Sequence, residues 1–263
     1  MTQTNATHLN KITQGDSLEV LRELADNSID LTVTSPPYDN LRTYNGFTWD
    51  FEGIAQELYR VTKDGGVVVW IVNDATINGS ETGTSFRQVL HFMECGFKLH
   101  DTMIWQKISP FQHKNRYIAS FEYMFILSKG KPKTANLIKD RKNKWGGTAV
   151  HGTLRQIDGS LKKPTGMKVG RKVAEYGARL NIWEMPGDKA NKTGHPAVFP
   201  EPLAQDHILT WSNEGDVVLD CFGGSGTTAK LALLNNRNFI HIDISEEYVA
   251  IANQRIVDAI QTK

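Results

Sequence analysis

The 263-residue sequence predicts an α/β protein built on a doubly wound sheet of seven strands, with a basic segment inserted near its middle. Three observations lead there. Short apolar runs of strand length alternate with amphipathic runs at helical spacing, the pattern of a mainly parallel sheet flanked by helices. Between Asp216 and Asp243 a strand, a glycine-rich turn, a helix-like run and a second strand follow one another, which is a complete βαβ unit. Positive charge is concentrated between Lys107 and Lys192, where 19 Lys and Arg face 6 Asp and Glu, while the chain as a whole carries only +1.

Taken in order, Ile12 to Gly15 is a short strand candidate, and Ser17 to Ala25 reads as a helix with leucines at 18, 21 and 24 on one face. Ile29 to Thr34 is an apolar strand, and Phe51 to Val61 has helical spacing. Asp64-Gly65-Gly66 then predicts a turn into a buried strand, Val67 to Val72. Ser85 to Glu94 is helical and is stopped by Gly96. Leu99 to Trp105 and Phe121 to Leu127 read as late strands that form an antiparallel edge. Asp216 to Asp220 and Asn238 to Asp243 complete the seven, with Ala229 to Leu234 as the helix between them. From Lys129 to Arg179 the periodicity is weak and Gly and Lys are frequent. The expected organisation is one discontinuous domain, residues 1–128 and 181–263, interrupted by a region at 129–180.

Hydrophobic residues make up 40% of the chain, enough for one substantial core. Two cysteines, Cys95 and Cys221, provide neither a disulfide framework nor zinc spacing, so a reducing cytoplasm is the expected compartment. Met1 to Gly15 lacks the apolar core of a signal peptide, and no run reaches transmembrane length. The basic span, with Trp145, Tyr176 and Trp183 among its charges, suits a polyanion whose phosphates supply most non-specific affinity. A solvated insert would have the same composition.

Two segments carry chemistry. The strand ending at Thr34 runs straight into Ser35-Pro36-Pro37-Tyr38. Two prolines hold the backbone extended and remove its donors, so the stretch presents carbonyl and hydroxyl acceptors beside an aromatic face. That array suits a planar ligand bearing an amino group, and the end of a parallel strand is where α/β sheets bind ligands. A proline-rich turn is the plainer explanation. The second segment is Asp220-Cys221-Phe222-Gly223-Gly224-Ser225-Gly226-Thr227-Thr228, followed by Asp243 at the end of the next strand. Its glycines fit neither the dinucleotide nor the triphosphate fingerprint, which favours a nucleoside without a pyrophosphate. Asp220 can then face an ammonium group and Asp243 the ribose hydroxyls.

Together these segments resemble the amino-directed DNA methyltransferases that use S-adenosylmethionine. Ser35-Pro36-Pro37-Tyr38 matches the family's Asp/Asn/Ser-Pro-Pro-Tyr/Phe/Trp motif. The Asp220 to Thr228 segment is similar to its Asp-Pro-Phe-x-Gly-Ser-Gly-Thr-Thr cofactor loop, with Cys221 in the place of Pro. His195-Pro196-Ala197-Val198-Phe199-Pro200-Glu201-Pro202-Leu203 resembles the segment preceding the cofactor strand in the beta-type, permuted subgroup, where the catalytic motif comes first. The likeness covers roughly two-thirds of the chain, and joint occurrence in this order is far more specific than either motif alone. It implies a Rossmann-like methyltransferase sheet, with Ser35, Pro36, Pro37 and Tyr38 as catalytic residues. It implies S-adenosylmethionine contacts at Asp16, His195, Asp220, Phe222, Gly223, Gly224, Ser225, Gly226, Thr227 and Asp243, with no metal. It implies double-stranded DNA as the partner, with residues 129–180 for target recognition, and it allows a cognate restriction endonuclease. Oligomeric state is not readable.

The implied chemistry is methylation of an exocyclic amine by direct displacement, on a base flipped from the duplex and stacked on Tyr38. Asp39 to Trp49 is long enough to close over it as a lid. In the resembling family, Ser at the first motif position leans toward cytosine N4 and Asp toward adenine N6, so cytosine is favoured and adenine is the alternative. Glutamine methylation in proteins is disfavoured, because those enzymes carry Asn first and the reverse motif order. A non-catalytic DNA-binding protein on the same scaffold would be expected to lose motif residues that remain here. Several residues also have simpler roles. Asp16 can be an N-cap, and Ser245 with Glu246 and Glu247 reads as a helix cap and dipole complement. Cys95 reads as a buried small hydrophobe.

Overall fold

The computed structural model describes residues 7–37, 49–107, 114–149, 154–162, 171–186 and 199–262. In chain order the principal elements are β1 (Lys11–Gln14), α1 (Ser17–Glu23), β2 (Ile29–Thr34), α2 (Phe51–Val61), β3 (Thr62–Val72), α3 (Thr84–Glu94), β4 (Lys98–Gln106) and β5 (Phe121–Ser128). After the basic segment come β6 (Ile182–Glu184), α4 (Glu201–Trp211), β7 (Val217–Asp220), α5 (Thr227–Leu234), β8 (Asn238–Asp243) and α6 (Glu246–Thr262).

The strands form one sheet in the order β1-β8-β7-β2-β3-β5-β4-β6. Pairing is parallel from β1 across to β3, antiparallel on both sides of β5, and parallel again between β4 and β6. The expected doubly wound α/β sheet with an antiparallel edge is therefore present, but among the described residues it has eight strands rather than seven. The extra strand is β6, three residues long and paired on one side only, too short for its alternation to show in the sequence. A second departure lies at Asp64-Gly65-Gly66, where a turn was expected. Those residues fall inside β3, which starts at Thr62 and absorbs Gly65, at φ +80°, as a register shift against β2.

Helices cover both faces. On one side α1, α2 and α3 bury Leu21, Leu58 and Phe92 against Trp70, Val72 and Leu127. On the other, α4 and α5 bury Leu203, Ile208 and Ala232 against Val33, Val69 and Ile126. The central strands are apolar throughout because both of their faces are covered: every residue of Val67–Val72 is at most 1% exposed. The acid inside β2 is accounted for, since Asp30 accepts from Lys63 Nζ at 2.6 Å and from the Val217 amide at 2.9 Å. No helix among the described residues is long and apolar enough to cross a membrane.

Residues 137–180 form a compact unit of their own. Two short antiparallel pairs build it, Arg141–Lys142 with Tyr176–Gly177 and Leu154–Arg155 with Leu161–Lys162. Arg179 closes it onto Asp140. None of its described residues belongs to the two core clusters, and Trp145, Tyr176 and Leu161 are all more than half exposed. Residues 129–136 pack with the larger unit instead: Lys129 Nζ donates to the Tyr59 and Thr62 carbonyls, and the Asn136 amide to the Thr210 carbonyl.

Phe92 is fully buried and meets Phe51, Trp70 and Phe97 edge-on at 4.9 to 5.7 Å. Phe92→Ala is expected to lower the unfolding free energy by about 3–5 kcal/mol, the usual cost of emptying such a site. Denaturant titration followed by tryptophan fluorescence measures it.

Candidate active site

Parallel pairing aligns the C-terminal ends of β1, β8, β7 and β2, so the segments that leave them share one edge of the sheet. Asp16 leaves β1, Asp243 ends β8, the glycine turn leaves β7, and Ser35-Pro36-Pro37 leaves β2. Cross-links fasten these exits together. Ser17 Oγ donates to the Cys221 carbonyl at 2.5 Å, and the Gly15 amide donates to the Asp243 carbonyl at 3.0 Å. Thr34, the last residue of β2, donates its hydroxyl to Asp220 Oδ1 at 2.7 Å across 186 positions of sequence.

Asp220 is the most perturbed acid among the described residues. It is 2% exposed and accepts from Thr34 and from the Phe222 amide at 3.2 Å. Among the described residues no Lys or Arg pairs with it. Burial dominates, and pushes its pKa up to about 6 despite the hydrogen bonds from Thr34, Thr228 and Phe222. A buried carboxylate with donors but no cation is costly when ionised, and an incoming cation would offset that cost. The neighbouring Cys221 thiol is fully buried, and burial followed by the Asp220 charge drives its pKa far upward. It is therefore a protonated core group and not a nucleophile.

Asp243 accepts from the Gly224 amide at 2.8 Å and the Ser245 amide at 2.8 Å, while burial raises its pKa. It thus pins the middle of the turn and keeps an edge at the surface, at 9% exposure. Two glycines are required by contact. A Cβ on Gly223 would lie 2.1 Å from the His241 ring, and one on Gly226, at φ +82°, would meet Ala252 Cβ at 2.9 Å. His241 lies two residues before Asp243 on the same side of β8. Among the described residues neither of its ring nitrogens has a hydrogen-bond partner, and burial lowers its pKa to about 3, so the ring is a neutral wedge under Gly223.

The structure thus brings together Ser35, Pro36, Pro37, Asp16, Asp220, Phe222, Gly223, Gly224, Ser225, Gly226, Thr227 and Asp243 at one edge. Asp16 is also the N-cap of α1, accepting from the Leu18 amide at 2.9 Å, and it is exposed. The half-buried Phe222 ring packs edge-on to Trp49 at 5.0 Å. Ser245 caps α6 through the Tyr248 amide, at 3.4 Å. Tyr38 and His195 lie outside the described residues, as does the lid segment except for Trp49. Sequence reasoning missed Thr34, His241 and Arg255, the last of which holds Ser225 and Thr227 from behind. Only Thr34 had a usable signal, a hydroxyl ending an apolar strand immediately before the motif. Among the described residues no group of His, Cys, Asp and Glu could hold a metal.

A parallel sheet with an acceptor motif, a glycine turn and two acids at adjacent strand ends defines a nucleoside-cofactor transferase site. The DNA methylase family model, of the N6/N4 class, matches residues 29–254, and the chain belongs to that family. It is an enzyme, a DNA amino-methyltransferase whose methyl donor is S-adenosylmethionine. It is 58% identical over 242 residues to the orphan methyltransferase M.BamHII of Bacillus amyloliquefaciens, covering 89% of this chain and 90% of that one. Two solved structures share the fold. One is the PvuII DNA methyltransferase, described as cytosine-N4-specific, with a TM-score of 0.65 and 20% identity over 95% of this chain and 90% of that one. The other is a DNA modification methylase of Thermus thermophilus complexed with S-adenosylmethionine, with a TM-score of 0.64 and 23% identity over 95% and 94% of the two chains.

The contact between Gly223 and His241 gives a stability test. Gly223→Ala is expected to destabilise the protein by roughly 1–3 kcal/mol, as overpacking does. Adding His241→Ala should recover much of that loss, since the ring is what the new methyl group strikes. Thermal unfolding of the single and double variants measures the coupling; simple additivity would refute the contact.

Proposed function

We propose that this enzyme methylates the exocyclic N4 of cytosine in duplex DNA, with Ser35, Pro36, Pro37 and Tyr38 as its catalytic motif. The observation that carries this reading is the Thr34–Asp220 hydrogen bond, which sets the acceptor motif directly beside the glycine turn. S-adenosylmethionine supplies a methyl group on a positively charged sulfur. The residues present fit it. Gly223 and Gly226 pack so closely on His241 and Ala252 that the turn carries no side chain there, Asp220 is a buried acid in want of a cation, and Asp243 offers an edge to ribose hydroxyls.

The chain's own groups then divide the work. Asp220 holds the donor's ammonium, the turn from Phe222 to Thr227 holds its body, and Asp16 with His195 flanks the adenosine. Ser35 Oγ and the Pro36 carbonyl accept the two N–H groups of the target amine. That draws its lone pair out of conjugation and aims it at the methyl carbon, where orientation and electrostatics dominate. Held so, the amine nitrogen would take the methyl group as the sulfonium leaves as a neutral thioether, and would then pass its extra proton to solvent. Tyr38 stacks on the flipped base. The unit at 137–180, as the compact part of the target-recognition region, contacts phosphates and base edges through its lysines and exposed aromatics. Ser35 at the first motif position favours cytosine over adenine. Base-resolution modification sequencing of DNA from an expressing host reports the base and its context; methyl groups on adenine N6 would overturn the assignment.

Two outcomes follow for the site. Ser35→Ala is expected to cut methyl transfer by about 10²-fold or more, with cofactor affinity nearly unchanged, as loss of a transition-state acceptor does. Single-turnover transfer of labelled methyl groups checks it. The second concerns pH. Asp220 titrates near 6 in the folded protein, above its ordinary value of 3.8. Between those values the folded state keeps a proton that the unfolded chain has lost, so this group's contribution to stability falls as pH rises through that window. A bound ammonium favours the carboxylate. S-adenosylmethionine affinity should therefore climb as pH rises from about 5 to 7, at most tenfold per unit, with proton release on binding. Calorimetry in buffers of different ionisation enthalpy measures this, and Asp220→Asn should bind weakly with no such pH dependence.

A further inference from the structure

Behind the glycine turn, α6 delivers one arginine into a charged cluster that the transfer chemistry leaves unused. Arg255 Nη1 lies 2.8 Å from the Ser225 carbonyl, 3.0 Å from Ser225 Oγ and 3.1 Å from Thr227 Oγ1. Its Nη2 donates to Glu201 Oε1 at 2.8 Å, and Lys230 of α5 donates to the same oxygen at 2.7 Å. Ser225 and Thr227 are at most 4% exposed, and the Arg255 side chain 17%. Burial raises the Glu201 pKa, but Lys230 and Arg255 together more than reverse this and hold it below its usual range. One guanidinium therefore joins the C-terminal helix, the glycine turn and the start of α4.

The turn needs such an anchor. Gly224 and Gly226 both adopt positive φ, and glycine loses more conformational freedom on ordering than any other residue. Asp243 fixes the turn at Gly224, where its Oδ2 accepts the amide. Among the described residues no hydrogen bond from that strand reaches Ser225, Gly226 or Thr227, whereas α6 closes on Gly226 through Ala252 and, one turn later, reaches Ser225 and Thr227 through Arg255. The planar fork is what allows this, because separate nitrogens serve the turn and Glu201; a lysine ammonium is a point charge without that geometry.

We propose that Arg255 is a positioning residue for the cofactor turn, holding Ser225 to Thr227 in the binding conformation before S-adenosylmethionine arrives, with Glu201 aiming the guanidinium. This rests on the reading of the turn as the cofactor site. Arg255 reaches the turn from behind, through the Ser225 carbonyl and two hydroxyls, and acts through them rather than on the reacting atoms. Its removal transfers the ordering cost of the turn to the binding step. That raises KM for the cofactor and leaves kcat at saturation in place, the signature of lost uniform binding.

The test uses the full-length protein with Arg255→Ala, Arg255→Lys and Glu201→Gln. S-adenosylmethionine affinity is read by calorimetry, turnover by steady-state kinetics, and turn order by amide hydrogen exchange without cofactor. Arg255→Ala should lose about tenfold or more in affinity, with kcat within about threefold, as an ordering cost moved into binding requires. Exchange at residues 224–228 should accelerate and slow again at saturating cofactor. Arg255→Lys should fall between, and carries the test if the alanine variant does not fold. Glu201→Gln keeps the bonds to the turn and should lose only about two- to threefold, a modest aiming effect. Unchanged affinity and exchange in a folded Arg255 variant overturns the proposal, as does a fall in kcat with KM unaltered. If the wild-type protein binds no S-adenosylmethionine, the cofactor reading itself fails, and this is seen without any variant.

Discussion

The rest of the site depends on the parallel register between β7 and β2. Val218 faces Leu31 and Leu219 faces Thr32, so Asp220 and Thr34 end side by side although they stand 186 positions apart in the chain. Everything leaving those two strands must then share one edge of the sheet. A shift of one residue would carry the whole of β2 onto the wrong faces, taking Leu31 and Val33 out of the apolar cluster that holds Val218. Burial of Val33 and Leu219 on their respective faces is thus what fixes the geometry of the polar groups. The hydrogen bond between them is a consequence of that packing and not its cause.

The polar groups at this edge also set one another's chemistry. Thr34 and the Phe222 amide give Asp220 donors without charge, which keeps the carboxyl in place but only partly offsets the burial that raises its pKa. Asp243 spends lone pairs on two backbone amides and in doing so shapes the turn between β7 and α5. His241 shapes it from below by size, since its buried ring has no hydrogen-bond partner among the described residues. A charged side chain in the His241 position would have to be neutralised or paired, and nothing polar among the described residues reaches it.

Much of this was legible in the sequence because it rests on local pattern. The span of α2 and the bounds of β8 coincide with the helical and strand periodicity that predicts them, and the antiparallel edge of β4 and β5 follows the same logic. The Ser35 and Asp220 motifs could be read together because each follows an apolar strand ending in a polar residue. What escaped the sequence is set by tertiary contact. Asp64-Gly65-Gly66 has the composition of a turn, but Lys129 and Lys133 hydrogen-bond to its glycines while β2 pairs with Thr62 before it and Val67 after it, which draws it into β3. Ile182 to Glu184 is a strand only because β4 offers it an edge. His241 and Arg255 carry no motif; their roles come from what folds on top of them.

Cys221 shows how a departure from the family pattern is absorbed. Its carbonyl accepts the Ser17 hydroxyl, and its thiol lies in the core cluster that also holds Leu219 and Ile242. A proline at this position would serve the same carbonyl contact while stiffening the turn; cysteine leaves that stiffness to be supplied by other means. The turn accordingly leans on side chains around it: Ser17 at its start, Asp243 at its middle and Arg255 at its end. Cysteine at the start of a glycine turn could be mistaken for a nucleophile, but burial beside Asp220 makes its thiolate the least accessible state of the group. The site is therefore left with acceptors, a tightly packed glycine turn and two acids at adjacent strand ends. Those are the groups on which the proposed direct displacement draws.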